Sequence, residues 1–310
     1  MKEVPAIEVP VQFGSHAHLL GMLTRPPAAP PHAVGVILLN AGVIHRIGPH
    51  RLNVKLAREL AARGFASLRF DLSGLGDSRV PPNAAGFTEQ AVRDIRAAMD
   101  ELGRRCGTTH FAIAGLCSGA HHGLNAALAD ERIEGLVLLD GHAYPTHRTR
   151  LVRMRRRLAQ MSWAELLGWP LRRAARLVQN RREARAARQA AGEERSSSAS
   201  TPTRRQYAAA MQTLVSRGVA VYHIYSGSLL ESYNHASQFR DAFARFAFVD
   251  QVRCDYLSEI DHTVTPLAAQ ALVRERIAAW ALALPRVAGA RTEPDAPDSP
   301  ALMPAERAAA

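Results

Sequence analysis

The chain has 310 residues, of which 47% are hydrophobic and 22% charged, enough apolar material for one large core and too much for a disordered polymer. The opening stretch MKEVPAIEVPVQFGS lacks the apolar segment of a secretion signal, and runs such as residues 33–39 are far too short to span a bilayer, so a soluble cytoplasmic protein is expected. Lys and Arg total 39 against 28 acidic residues, a formal charge of +11, although Lys2 and Lys55 are the only lysines.

In chain order, residues 33–39 (AVGVILL) read as a buried strand, 50–63 as a helix with Leu52, Leu56 and Leu60 on one face, and 65–70 as the next strand, together a βαβ unit. A helix over 88–104 carries Val92, Ile95, Met99 and Leu102 at helical spacing, followed by a strand at 110–115, a helix at 120–129 and a strand at 133–139. After a long interruption the rhythm resumes with a strand at 220–225, a helix around 238–246, a strand at 252–257 and a closing helix at 266–284. Such alternation predicts an α/β protein with a mostly parallel sheet covered on both faces. Three cysteines, Cys106, Cys117 and Cys254, form no CxxC pair, so reduced thiols are expected, with no disulfide or zinc framework.

The interruption, residues 145–205, is read as a helical insert between core portions 1–144 and 206–285, with 286–310 a disordered Pro- and Ala-rich tail. Between His147 and Arg188 lie thirteen arginines, no lysine and two acids, Glu165 and Glu183, so this stretch carries +11 and the remainder sums to zero. Leu151, Met154, Leu158 and Met161 share a helix face, and Ser162 with Glu165 forms a capping-box pattern. Trp163 and Trp169 lie here too. No helix-turn-helix or RRM pattern accompanies the arginines, so nucleic acid is not an expected partner.

Chemistry concentrates at Gly115-Leu-Cys-Ser-Gly119, between an apolar strand and a helix. A sharp strand-to-helix turn needs small residues on both sides of an exposed nucleophile, and here both are glycine, which makes Cys117 the candidate. A thiol at a helix N-terminus has its thiolate favoured by the helix dipole. His262, just past the last predicted strand, is the candidate base. The acid is divided between Asp140, ending the strand at 133–139, and Glu231, in the loop after 220–225, while Asp261 is read as a local cap. The oxyanion would meet the amides of Ser118, Gly42 and Val43. Arg46 and Arg51, in the cationic run following Gly42, are candidates for an anionic substrate group. Neither GxGxxG, a Walker loop nor HExxH occurs, so no cofactor and no metal are expected.

With these motifs in hand, the chain from about Ile7 to Trp280 resembles the α/β-hydrolase superfamily. Phe70-Asp-Leu-Ser-Gly-Leu-Gly-Asp-Ser78 is similar to the segment after the superfamily's fourth strand, and Gly115–Gly119 and Asp261-His262 match its elbow and histidine. Arg46-Ile-Gly-Pro-His-Arg51 and Arg69-Phe-Asp71 further resemble the serine-aminopeptidase-like branch and the hydrolases associated with the exosortase A system. The resemblance implies an α/β-hydrolase fold with a lid inserted after strand 6, where 145–205 falls. Three departures stand out: cysteine replaces the usual serine, as it does in the dienelactone-hydrolase branch; Asn40-Ala41-Gly42 replaces a His-Gly pair; and an aspartate after the seventh strand is missing.

The leading expectation is hydrolysis of a carboxylic ester or thioester through an acyl-thioenzyme on Cys117. An acyltransferase on the same site and a non-catalytic binding or scaffold protein are the alternatives. The substrate would be a small-molecule or carrier-bound acyl group, and the Arg-rich lid could meet an acidic carrier protein, coenzyme A or a membrane surface.

Overall fold

A computed structural model describes residues 6–28, 32–160 and 201–284. Its centre is an eight-stranded sheet in the order β1-β2-β4-β3-β5-β6-β7-β8, with β1 at Ile7–Phe13, β2 at Leu19–Arg25, β3 at Val34–Leu39, β4 at Ser67–Phe70, β5 at His110–Leu116, β6 at Ile133–Leu139, β7 at Ala220–Ser226 and β8 at Arg253–Leu257. Strands β3 to β8 run parallel, and β2 is antiparallel to both of its neighbours. The expected mostly parallel α/β architecture is present.

Two helices, α1 (Leu52–Ala62) and α7 (Leu267–Leu282), cover one face, with Leu56, Leu60, Val273 and Ile277 in its core. The other face is covered by α2 (Phe87–Cys106), α3 (Ser118–Ala129) and α5 (Arg204–Ser216), which contribute Ile95, Met99, Leu124 and Met211. Strand β5 shows why the central strands read as unbroken apolar runs: Phe111 and Ile113 enter one core, Ala112 and Ala114 the other.

The structure corrects several boundaries and adds elements. The β1–β2 hairpin went unread because an edge strand wets one side: IEVPVQF mixes apolar and polar residues, and Pro10 is tolerated where a central strand would need its N–H. Helix α5 was also missed, although Tyr207, Ala208, Met211 and Leu214 have helical spacing and Thr203 with Gln206 closes a capping box. Helix α1 begins at Leu52 rather than 50, since His50 and Arg51 are held at φ 49° and 62°. Helix α3 begins at Ser118 rather than 120, directly out of the turn at Cys117. The helix expected over 238–246 ends at Phe243 as α6 (Gln238–Phe243), and a short 3₁₀ turn, Ala247–Asp250, follows.

After β6 the chain enters α4 (His147–Ala159), capped by Thr146 and Thr149. Its first turn is stitched to the core: Asn234 Nδ2 donates to the Thr149 carbonyl at 3.1 Å, and the Thr149 side chain is fully buried. Tyr144 Oη donates to the Pro202 carbonyl at 2.8 Å, tying the segment before α4 to the segment before α5. Leu151 and Met154, expected to share a helix face, lie in this one helix three residues apart, and both are exposed. Met161, Ser162, Glu165, both insert tryptophans and the tail from 286 lie outside the described residues.

Candidate active site

Parallel strands deliver their carboxyl ends to one edge of the sheet, and every candidate site residue, Glu231 included, lies in the segment that follows a parallel strand's end there. At the end of β5 the Cys117 N–H donates to the Leu139 carbonyl at 2.8 Å, and the backbone then turns through φ 55°, ψ −112° into α3. Such a backbone costs about 1–3 kcal/mol and persists only where the surroundings impose it. A Cβ on Gly115 would collide with the Gly119 carbonyl, and one on Gly119 with the Asn40 carbonyl. Both glycines therefore answer to close backbone approach, the reason for which the GxCxG spacing was singled out. Cys117 is the N-cap of α3, with the unpaired first-turn amides of that helix beside it.

One strand over, Asp140 repeats the device. Its N–H donates to the Ile224 carbonyl at 2.9 Å, its φ is 48°, and its carboxylate, with a fully buried side chain, turns inward. Oδ1 accepts the Ser226 N–H at 2.7 Å and Oδ2 lies 2.7 Å from His262 Nδ1. A carboxylate can only accept, so the imidazole carries its proton on Nδ1 and presents Nε2 as a base. Glu231, the alternative acid, is not brought to the histidine: its side chain is 89% exposed and lies 3.7 Å from Arg153. Glu231 itself faces solvent, whereas Asp140 is fixed between β6 and β7.

His262 sits in a turn held at both ends. Its N–H donates to Ser228 Oγ at 3.0 Å, and Asp261 Oδ1 accepts the Thr265 N–H at 2.9 Å, the local cap expected of Asp261. The Gly227 N–H donates to the Ile260 carbonyl, and a Cβ on Gly227 would overlap the Ser258 carbonyl. Sequence reading left Ser226, Gly227 and Ser228 without a role. The signal was the Ser-Gly-Ser spacing itself, with a glycine where two loops touch and donors or acceptors on either side.

The loop after β3 brings Gly42 to the elbow, where its N–H donates to Ser118 Oγ at 2.6 Å. Of the three amides expected at an oxyanion, Gly42's is thus taken in this state. No protein acceptor meets Val43 N–H or Ser118 N–H among the described residues. Beside this loop a small cleft is lined by Asn40, Gly42, Ile44, Ser118 and His122 among others. His122 Nδ1 is buried there without a partner among the described residues.

Arg46, a candidate for an anionic substrate group, is engaged within the protein. Its guanidinium contacts Asp71 at 2.5 Å and Asp77 at 2.7 Å, and its N–H donates to Asp71 Oδ1, so it latches the loop to the Phe70–Ser78 segment. Arg51 is exposed at the N-terminus of α1 and pairs with no carboxylate among the described residues. The remaining thiols are poorly suited to attack, since burial pushes Cys254 up to about 12 and raises Cys106.

The strand order, the elbow at Cys117 and the Asp140–His262 pair agree with one further comparison: a family model described as the alpha/beta hydrolase family matches residues 36–310. The chain belongs to the alpha/beta hydrolase family. Its fold is shared with the Pyrococcus furiosus esterase Pf2001, at 12% identity over 90% of this chain and 92% of that one, with a TM-score of 0.53. An alpha-beta serine hydrolase homologue from Coxiella burnetii aligns at 13% identity over 88% and 96% of the two chains, TM-score 0.52. XC6422 from Xanthomonas campestris, a serine hydrolase of this fold without a lid, aligns at 13% over 91% and 97%, TM-score 0.52. Among curated proteins, Uncharacterized protein YcjY of Escherichia coli is 32% identical over 82 residues, 26% of this chain and 27% of that protein, so the match spans about a quarter of the relative's length.

Proposed function

We propose that the protein is an acyl hydrolase acting on carboxylic esters or thioesters through a covalent intermediate on Cys117. The observation that carries this reading is the buried Asp140 carboxylate on His262 Nδ1, which directs the imidazole's basic nitrogen outward at the edge where the strained Cys117 elbow stands. In the first half-reaction His262 Nε2 takes the thiol proton and Cys117 Sγ bonds to the acyl carbon. The negative charge moves to the carbonyl oxygen, which the Ser118 and Val43 amides stabilise. Collapse expels the alkoxide or thiolate, which leaves with the proton held by His262.

In the second half-reaction water gives a proton to His262 Nε2 and its oxygen bonds to the acyl carbon. The C–S bond then breaks, the acid departs and the thiolate recovers the proton. Gly42 can join the oxyanion site only when Ser118 Oγ releases its N–H, so the serine hydroxyl competes with substrate for that donor. Delivery of the acyl group to an alcohol or amine in place of water would use the same residues and is read from the product.

Intact-protein mass after mixing with p-nitrophenyl esters and acyl thioesters of graded chain length tests the reading. A mass gain equal to the acyl group, absent in Cys117→Ala, is expected, together with loss of turnover in His262→Ala. Absence of both adduct and turnover across the panel, with Cys117 unreactive towards an alkylating agent, would overturn it in favour of a binding protein.

A further inference from the structure

Helix α4 turns its apolar stripe away from the protein. With about 100° between successive residues, the buried Thr149 and the half-buried Val152 and Arg153 mark the side packed on the core. Opposite them run Leu151 and Met154, 43% and 40% exposed, with Leu158, itself half-buried, on the same line. Arg150 and Arg157 flank this stripe on one side, Arg148 and Arg155 on the other, and all four are exposed. The helix holds six arginines and no acid. Arg153 alone of the six meets a carboxylate among the described residues, that of Glu231.

We infer that α4 is a docking surface for an anionic lipid membrane. Charge selects the occupant. Residues 161–200 of this chain carry eight arginines against four glutamates, so that segment, like a second copy of α4, would bring positive charge to a positive helix. An anionic surface removes this repulsion. The stripe selects lipid over an acidic protein or nucleic acid: an interfacial helix lowers leucine and methionine to the acyl boundary while flanking guanidinium groups bind phosphates bidentately. No described helix is long and apolar enough to cross a membrane, so the protein would lie on the surface through α4. The inference is independent of the chemistry proposed for Cys117.

Flotation of the full chain with vesicles of phosphatidylcholine alone, or with about 30% phosphatidylglycerol, tests it. Binding is expected only to the anionic vesicles, falling in about 0.3 M salt. Two variants altered only at exposed positions, Leu151→Ser/Met154→Ser and Arg150→Glu/Arg155→Glu/Arg157→Glu, should each reduce binding about tenfold or more at unchanged Tm. Failure of the wild type to bind anionic vesicles overturns the inference. So does undiminished binding by the Leu151/Met154 variant, which would identify a general polycation whose arginines outside α4 act on any acidic partner.

Discussion

Asp140 and His262, 122 residues apart in sequence, meet at 2.7 Å because one ends β6 and the other follows β8, and the end of β7 supplies a backbone donor between them. This makes the effect of removing the carboxylate specific. In Asp140→Asn the amide oxygen can still accept the Ser226 N–H, but an NH₂ then faces Nδ1 and the imidazole proton moves to Nε2, the wrong tautomer. Turnover of an activated ester should fall about 10²–10⁴-fold with little change in KM. Glu231→Gln should stay within about twofold. Steady-state kinetics on both variants would reveal an inversion of that order, which would return the acid role to Glu231.

The two elbow glycines should be intolerant for different neighbours. Gly115→Ala places a methyl in the Gly119 carbonyl and Gly119→Ala one in the Asn40 carbonyl, both backbone groups that cannot swing aside. Each should lower stability by about 3 kcal/mol or more in urea titration. Gly42→Ala is a useful contrast, since open space surrounds its Cβ position and only its φ of +53° resists, for about 1 kcal/mol.

Arg46→Met should act on stability rather than on substrate choice. It strands the Asp71 carboxylate, whose side chain is fully buried, and is expected to cost about 3 kcal/mol. The ratio of kcat/KM for anionic and neutral esters should not change. A selective loss on anionic esters would assign Arg46 to the substrate after all.

Acid should destabilise the fold through its buried histidines. Burial, with His142 adding, lowers His223 to about 3, and burial, with the stacked His121 adding, lowers His142 to about 4. Both are neutral in the fold, while the unfolded chain takes up protons below about pH 6.5. Their contribution is complete above that value and is lost as pH falls towards 4 and 3. At pH 5 fully buried His223 should account for about 2 kcal/mol, and the more solvated His142 for less. Urea midpoints between pH 7.5 and 5 should therefore fall less steeply for His223→Phe than for the wild type. Equal slopes would place the acid sensitivity elsewhere.

How much could be read in advance follows from the range of each interaction. The parallel strands, α1, α2 and the GxCxG turn are local patterns: apolar runs, helical spacing, and two glycines about a nucleophile, of which Gly115 is limited within the turn by the Gly119 carbonyl while Gly119 meets the distant Asn40 carbonyl. The β1–β2 hairpin escaped because an edge strand lacks the unbroken apolar run that marks its buried neighbours. The order of nucleophile, acid and histidine left two carboxylates open, since spacing along the chain carries no information about which strand end lies beside His262. Only the pairing of β6 with β7 and of β7 with β8 brought Asp140 to His262 and left Glu231 in solvent. Arg46 shows the same limit. A cation near a site looks available in sequence until the fold brings Asp71, 25 residues away, beneath it. Sequence by itself determined which groups this protein has and the local turns that expose them. The tertiary structure decided which charges meet, because a buried carboxylate must be satisfied by whatever donors the packed strands carry to it.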